Sequence, residues 1–388
     1  MKKMYFIILM IIASIIVAGC INGVNENKSS ATEHTKKLVS LNSLENVVEY
    51  AKYFKLYPNW DNGYCVVIDS EGNKFILLEG NNSNIAFNIS NAKIIHVPVK
   101  RIVTDFYCPI IATADILNSY HNTIVGAPKY AIKDSPKLSE LYKEKKVVDI
   151  GSPTKGVNYE IIANLSPDIV FLSDWPSEDK VEEKLKELGI TVSRYYTYKE
   201  PTYLGRIEWV KFAAAFWGSN AYKKAEKWFN NVVKTKENIT NKLKDVKYKP
   251  TVVIFSWSKY RNMPLVYGND KYYNELIVEF KGNNIFGDYK TQYLDKEIFY
   301  EKAINADVVI MINYYNTNVT NLEEFKKEFP DIPIEKFKAF KNGRFYVSNP
   351  KYYIYENIDP AGYMLDFAKM IHPEVFGNGS LKYFYKIQ

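Results

Sequence analysis

The chain has 388 residues and a formal net charge of +7, from 51 Lys and Arg against 44 Asp and Glu. Its lysines alternate with Glu and Asp along segments of helical spacing such as 180–187 and 223–227, a pattern typical of a solvated surface and not of a nucleic-acid-binding stripe. The length is sufficient for two domains. The sequence has no P-loop, no Gly-x-Ser-x-Gly, no His-Glu-x-x-His and no Cys-x-x-Cys pattern, so we expect a protein without catalytic residues.

The first twenty residues have the pattern of an export signal. Lys2 and Lys3 precede an almost entirely apolar run over 4–18, which is shorter than the roughly 20 residues that a membrane-spanning helix needs. Residues 17–20, Val-Ala-Gly-Cys, resemble a prokaryotic lipobox. That resemblance implies cleavage after residue 19 and lipid on Cys20, whereas a plain secretory signal and an uncleaved anchor are the alternatives. Residues 20–40 are polar and predict a flexible tether to the membrane.

Residues 41–92 predict an N-terminal extension that contains a β-hairpin. Apolar runs at 64–69 and 74–78 flank a Glu-Gly-Asn turn, which is the signature of two antiparallel strands. Helical spacing over 44–56 precedes them. The sequence leaves open whether Cys65 and Cys108 form a disulfide or stay as two free thiols.

Two blocks of alternating strand and helix patterns follow, and such alternation indicates parallel strands with crossover helices. The blocks cover 93–200 and 248–388, and a helical connector over 201–247 separates them, with Ser219 as the expected N-cap of its second helix. We therefore expect an α/β fold of two lobes. Each lobe has a central, mostly parallel sheet flanked by helices, and a long helix joins the lobes.

Four motifs, in this order, resemble those of the ferric-siderophore-, haem- and vitamin B12-binding proteins of ABC importers. They are VPVKRIV at 97–103, VNYEIIANLSPDIV at 157–170, YEKAINADVVI at 300–310 and AFKNGRFYV at 339–347. The resemblance implies a lipid-anchored binding protein on the extracytoplasmic face of a cell membrane. Such a protein captures a metal chelate between its lobes and delivers it to an ABC permease and its ATPase. The extension at 41–92 departs from the family, which has a much shorter hairpin there.

Aromatic side chains are frequent after the predicted strand ends, where core packing does not require them. Ligands of open α/β sheets lie outside the carboxyl ends of the strands, and Tyr and Trp offer large flat surfaces with a polar tip. Arg261, or alternatively Lys259, is expected to pair with an anionic group of the ligand. Packing within loops is the alternative for each tyrosine. The residues expected to line the cleft are Tyr107, Tyr130, Trp175, Tyr198, Trp257, Tyr260, Arg261, Tyr314 and Tyr353.

Glu160 and Glu301 occupy matching places in the second and third motifs. The resemblance implies that each glutamate docks one lobe onto basic residues of the permease, because paired acids set orientation and encounter rate by electrostatic complementarity. Two ordinary solvated helix glutamates are the alternative.

Several features of the function stay open at this point. A ligand-sensing or surface module with the same fold is one alternative, and a binder of another metal complex or of an oxyanion is a second. Direct capture of zinc or manganese ions needs clustered His and carboxylate ligands, but the four histidines are scattered along the chain. We expect a monomer that has no cofactor of its own, because iron or cobalt belongs to the ligand.

Overall fold

The computed structural model describes residues 37–80, 85–152, 156–175, 178–315 and 317–388. The predicted signal peptide, Cys20 and the tether up to residue 36 lie outside the described residues. Lys37–Ser40, at the end of the predicted tether, form a strand that pairs in parallel with Ile85–Asn88. Within the described ranges, no helix combines the length and the apolar character needed to cross a bilayer.

The N-terminal lobe (N-lobe) is built on a five-stranded sheet whose strands all run parallel. Its central strands are short, fully buried runs of Ile, Val and Phe, the composition expected where helices cover both faces of a parallel sheet. In spatial order the strands are Val192–Tyr195, Ile169–Ser173, Ile102–Thr104, Ile124–Ala127 and Val148–Asp149. The flanking helices are Ala112–Leu117, Lys129–Asp134, Pro136–Lys143, Tyr159–Leu165 and Glu178–Glu187.

The C-terminal lobe (C-lobe) has a seven-stranded sheet with a parallel centre and antiparallel edges. In spatial order the strands are Gln292–Tyr293, Met263–Val266, Thr251–Ser258, Val308–Met311, Phe345–Ser348 and Phe384–Lys386, with Asn283–Asn284 beside the start of Thr251–Ser258. Its helices are Tyr272–Glu279, Lys296–Ala303, Leu322–Glu328, Lys338–Lys341, Tyr352–Ile358, Pro360–Ile371 and Pro373–Phe376. The expected fold class, two α/β lobes with parallel sheet centres, is confirmed.

Two connector helices, Tyr203–Ala215 and Ser219–Lys242, lie between the lobes in the chain. The expected N-cap, Ser219, is the first helical residue instead, because Gly218 takes the cap position with a φ of 88°, a backbone angle that favours glycine. The second helix has 24 residues and therefore spans about 36 Å. Nearly every residue of the first helix is buried, so it packs against neighbours on all sides.

The extension forms a four-stranded sheet that contains the predicted hairpin. Its strands, in order, are Lys55–Asn59, Tyr64–Ile68, Lys74–Glu79 and Ala92–Val97. One face of this sheet shares an apolar core with the connector, in which Phe54 packs 4.6 Å from Trp209 between ring centroids. Cys65, in this sheet, and Cys108, in the N-lobe, are both buried free thiols, so the disulfide alternative is wrong.

The helix predicted over 44–56 is also wrong, and two buried carboxylates of the connector explain the difference. Glu208 accepts hydrogen bonds from the backbone amides of residues 49–51 at 2.8–3.0 Å. Glu200 accepts hydrogen bonds from the amides of Lys52 and Tyr53. A helix would use these amides in its own hydrogen bonds. Here they donate instead to two buried carboxylates, in addition to the Lys211 ammonium 2.7 Å from Glu208 and the Trp209 indole N–H that donates to Glu200 at 3.0 Å.

Candidate ligand-binding cleft

A cavity of about 430 Å³ lies between the two lobes, a volume within the range of small-molecule sites. Most of its lining is aromatic, and the first connector helix contributes Arg206. The N-lobe contributes Phe106, Tyr107, Cys108, Ser173, Trp175, Tyr195, Thr197 and Tyr198. The C-lobe contributes Tyr267, Lys271, Tyr272, Tyr273, Tyr314, Tyr352, Tyr353, Glu356 and Asn357.

Five of the nine expected ligand-binding residues meet at this cavity. They are Tyr107, Trp175, Tyr198, Tyr314 and Tyr353. Tyr130 lies beside the cavity. The centroid of its ring is 5.8 Å from that of Phe106, which lines the cavity, and its hydroxyl donates to the backbone carbonyl of Asp105 at 2.6 Å.

The structure places the other three expected residues away from the cavity. Trp257 is only 3% exposed and packs in the C-lobe core. Tyr260 and Arg261 lie in the turn between Thr251–Ser258 and the antiparallel strand Met263–Val266, where Tyr260 is 96% exposed. The Arg261 guanidinium lies 4.9 Å above the ring of Tyr293. These placements differ from the expectation because the sequence pattern did not predict this hairpin.

The N-lobe wall of the cleft presents ring faces. Trp175 and Tyr198 stack with their centroids 5.1 Å apart and their planes 22° apart, and Trp175 is 51% exposed. The Tyr198 hydroxyl donates to the backbone carbonyl of Asp174 at 3.4 Å. Because that hydroxyl is engaged by the wall itself, this side of the cleft offers chiefly a flat apolar surface to a ligand.

Two buried carboxyl groups, Asp105 and Glu178, support the N-lobe wall. Asp105 accepts hydrogen bonds from the amide of Ser173 at 2.8 Å and from its hydroxyl at 2.6 Å, and a third from the Tyr195 hydroxyl. Burial raises the pKa of Asp105, although these hydrogen bonds oppose the rise. Burial, followed by the nearby charge of Asp105, raises the pKa of Glu178 to about 8. This part of the lobe therefore holds a proton at neutral pH.

The C-lobe wall presents hydroxyl groups. The hydroxyls of Tyr267 and Tyr314 are in direct contact, and the ring of Tyr352 packs 5.5 Å from that of Tyr314 in a T-shaped arrangement. The Tyr272 hydroxyl donates to a carboxylate oxygen of Glu356. These hydroxyls bond to one another and to Glu356, and their side chains line the cavity, so this wall is polar as well as aromatic.

A buried ion pair joins the connector to the C-lobe wall. Arg206 Nη2 lies 2.8 Å from Glu356 Oε1, and the guanidinium lies 4.6 Å above the ring of Tyr272. Burial raises the pKa of Glu356, and the Arg206 charge opposes that rise. Burial and then the Arg206 charge lower the pKa of Lys271 in the same cleft. The charge of Asp270 opposes that lowering. Two cationic side chains thus line the cleft, where either can pair with an anionic ligand group.

One hydrogen bond crosses directly from lobe to lobe at the edge of the cleft. The Tyr353 hydroxyl donates to Asp134 Oδ1 at 2.9 Å. Burial raises the pKa of Asp134, while the bond from Tyr353 opposes the rise. Asp134 ends a helix of the N-lobe and Tyr353 lies in the first turn of Tyr352–Ile358, so the bond links the two lobes directly.

The sequence analysis missed much of the charged and phenolic lining. These residues are Arg206, Tyr267, Lys271, Tyr272, Tyr273 and Glu356. All but Tyr267 lie on or next to helices, whereas the sequence pattern pointed to the strand ends. The sequence signal for part of this lining is the Tyr-Tyr pair that occurs at 272–273 and again at 352–353, and each pair begins a helix in the structure.

The two expected docking glutamates are both exposed, but their helices place them differently. Glu160 lies in the first turn of Tyr159–Leu165, where Asn158 caps the helix. Glu301 lies near the end of Lys296–Ala303, whose first-turn acid is Glu297. The described residues contain no group of three or more His, Cys, Asp or Glu side chains arranged to hold a metal ion.

Comparisons with known proteins agree with this architecture. Residues 118–352 match the family model described as periplasmic binding protein. An uncharacterised lipoprotein of Methanocaldococcus jannaschii is 63% identical over the full length of both chains. A second uncharacterised lipoprotein of that organism is 27% identical, over 100% of this chain and 97% of its own.

Solved structures share the fold at low sequence identity. A possible iron-binding protein from Staphylococcus epidermidis has a TM-score of 0.54 at 18% identity, covering 71% of this chain and 99% of its own. A periplasmic haem-binding protein from Pseudomonas aeruginosa has a TM-score of 0.53 at 14% identity, covering 74% and 98%. A TroA-like periplasmic binding protein from Veillonella parvula has a TM-score of 0.56 at 16% identity, covering 75% and 95%. The chain belongs to the periplasmic binding protein family, whose members are solute-binding proteins and not enzymes.

Proposed function

We propose that this protein is the substrate-binding component of an ABC importer, that it captures a metal chelate in the cleft, and that it delivers the chelate to a permease. The chain is held to the outer face of the cell membrane by lipid on Cys20. The permease and its ATPase are the partners, and Glu160 and Glu301 dock the two lobes onto the permease.

The observation that carries this proposal is the aromatic cleft between the lobes. A stacked Trp–Tyr pair on one wall faces a wall of phenol groups with a cationic side chain. Such a cleft suits a large, flat or chelated ligand that carries negative charge, because ring faces contact its body and cations pair with its acidic groups. The names of two structural relatives, an iron-binding and a haem-binding protein, support the same class of ligand.

Ligand capture is tested by titrating the purified protein with haem, a ferric siderophore and cobalamin while tryptophan fluorescence is recorded. Trp175 lies in the cleft, so a bound chelate quenches its emission. The matched control is Trp257→Phe, which removes a buried tryptophan outside the cleft and leaves the quenching in place. If all three chelates leave the emission unchanged and native mass spectrometry finds no metal complex on the protein, the proposed ligand class is wrong.

Docking is tested by uptake of the captured ligand into cells. Glu160→Ala together with Glu301→Ala is expected to leave ligand binding intact and to reduce uptake, because the acids act at the permease and not in the cleft. Glu297→Ala, an exposed acid on the same helix as Glu301, is the control. Uptake that is unchanged in the double variant would contradict the docking role, and normal ligand binding without any transport would favour a sensing module.

A further inference from the structure

Three tyrosine hydroxyls meet on the C-lobe wall, and we call these residues the tyrosine triad: Tyr267, Tyr314 and Tyr352. Tyr267 follows the strand Met263–Val266, Tyr314 follows Val308–Met311, and Tyr352 begins the helix after Phe345–Ser348. The Tyr267 and Tyr314 hydroxyls are in direct contact, and Tyr352 also hydrogen bonds to Tyr314. All three side chains line the cleft.

The triad is accessible and held in place at the same time. Tyr314 is 53% exposed, whereas Tyr267 and Tyr352 are buried at 2% and 5%. Packing therefore fixes the rings of Tyr267 and Tyr352, and the more exposed Tyr314 contacts both through its hydroxyl. Because the oxygens already converge, a cation that replaces their hydroxyl protons needs little rearrangement, and such preorganisation favours binding.

The donor type selects the class of cation. A deprotonated phenol is a hard, anionic oxygen donor, and tyrosine is a known ligand of iron in proteins. Hard oxygen donors favour hard cations, while zinc and copper sites use imidazole and thiolate. Three phenolates carry three negative charges, which neutralise the charge of one ferric ion without any carboxylate.

Burial and the charge of Glu356 both oppose ionisation of the triad, so the positive charge of the bound metal ion has to drive it. Burial raises the pKa of all three hydroxyls, so the triad is protonated in the free protein at neutral pH. The hydrogen bonds from Tyr267 and Tyr352 lower the pKa of Tyr314, and the Arg206 charge adds a smaller lowering. Metal binding at such a site releases protons and depends on pH.

We propose that the tyrosine triad is a ferric-ion site, in which three phenolate oxygens coordinate the metal directly and the remaining coordination positions face the cavity. Each O–H bond of the triad breaks as an O–Fe bond forms, the protons pass to solvent, and the iron stays ferric. The open positions take water or oxygen atoms of the chelate. This proposal rests on the proposed function, because it specifies how the captured metal complex is held.

The test is a titration of the purified protein with ferric nitrilotriacetate, followed in the visible spectrum. A tyrosinate-bound ferric ion gives a phenolate-to-iron charge-transfer band, and we expect it to saturate at a single ion per chain with release of protons. Tyr314→Phe and Tyr267→Phe should each abolish the band or weaken affinity at least about tenfold, the scale of losing even an outer-shell partner of a ligand. Tyr355→Phe, stacked on Tyr383 outside this cleft, is the control and should keep the band.

Two results would overturn the site. One is the absence of the band in the folded wild-type protein, and the other is a band that persists undiminished in both variants. If a variant fails to fold, as judged by circular dichroism, resonance Raman scattering of the wild-type complex still decides whether tyrosinate is a ligand. Quenching of Trp175 by haem or a siderophore in the same samples reports separately on ligand capture. Quenching without a ferric band rejects the triad and leaves the proposed function standing, while a band without quenching supports the triad and contradicts chelate capture.

Discussion

The aromatic side chains of the N-lobe wall are joined by ring stacking, whereas those of the C-lobe wall are joined through their hydroxyl groups. Trp175 stacks on Tyr198, whose hydroxyl is bonded to the backbone. Tyr314 instead touches Tyr267 through their hydroxyls, and Glu356 is paired with Arg206 nearby. Tyrosine thus contributes to a stacked surface on one wall and to a hydrogen-bonded, charge-bearing cluster on the other.

The largest effect is expected from breaking the ion pair of the C-lobe wall. Arg206→Ala leaves Glu356 buried without its cationic partner, and such a change lowers the free energy of unfolding by about 3–5 kcal/mol. The side chains are only 14% and 4% exposed. Urea unfolding measures the loss, and Arg261→Ala, at the surface above Tyr293, should change stability by less than about 0.5 kcal/mol. Equal losses in the two variants would show that the pair is not a structural part of this wall.

A pH-dependent effect is expected from the acids behind the N-lobe wall. The pKa of Glu178 rises from 4.5 to about 8 in the folded protein, so between these values the folded chain holds a proton that the unfolded chain has lost. The stabilising contribution is complete below pH 4.5 and is lost as the pH rises through 8.

The unfolding free energy, measured across this window, should therefore fall more steeply with pH for the wild type than for Glu178→Gln, which cannot ionise. The control is Glu183→Gln on the exposed face of the same helix, for which the slope should match the wild type. Parallel curves for wild type and Glu178→Gln would contradict the raised pKa.

A smaller effect is expected from removing the ring face of the N-lobe wall. Trp175→Ala should weaken chelate binding by about 0.5–1.5 kcal/mol, the contribution of one aromatic contact. Because Trp175 is 51% exposed, the stability of the protein should change little. Isothermal titration calorimetry measures the affinity, with Tyr260→Ala, in the exposed turn of the C-lobe, as the control. Equal affinities for wild type and Trp175→Ala would mean that the ligand does not contact this wall.

An effect of similar magnitude, but on stability instead of ligand affinity, is expected at the bond between the lobes. Tyr353→Phe removes the hydrogen bond to Asp134, and a single bond of this kind contributes about 0.5–1.5 kcal/mol. Hydrogen–deuterium exchange of the helix Tyr352–Ile358 should become faster, while exchange in the extension sheet should not change. Protection of that helix equal to the wild type would show that packing alone holds the lobes together.

The lobes, their parallel sheet centres and part of the cleft were predictable because each depends on local patterns. Tyr107, Trp175, Tyr198 and Tyr314 follow strand ends, and parallel strands bring their carboxyl ends to one edge. Tyr353 was found in the same way. The sequence pattern therefore identified residues on both walls.

The remaining features depend on contacts between distant parts of the chain. Trp257 lies within its strand and faces the C-lobe core, which strand periodicity alone did not resolve. Glu200 and Glu208 accept hydrogen bonds from the amides of residues 49–53, which are some 150 residues away in the sequence. These distant partners stabilise a non-helical backbone there despite the helical spacing over 44–56. The pairing of Arg206 with Glu356 has the same origin.

The hydrogen bonds that Glu200 and Glu208 accept from the extension also limit how far the N-terminus of this protein can be truncated. A fragment that starts with the first family-like motif at residue 97 would uncover Trp209 and Phe212 and leave two buried carboxylates without their amide donors. Such a fragment would aggregate and not fold. Anyone who builds a soluble biosensor from this chain should therefore fuse the reporter ahead of Lys37 and leave every later residue in place.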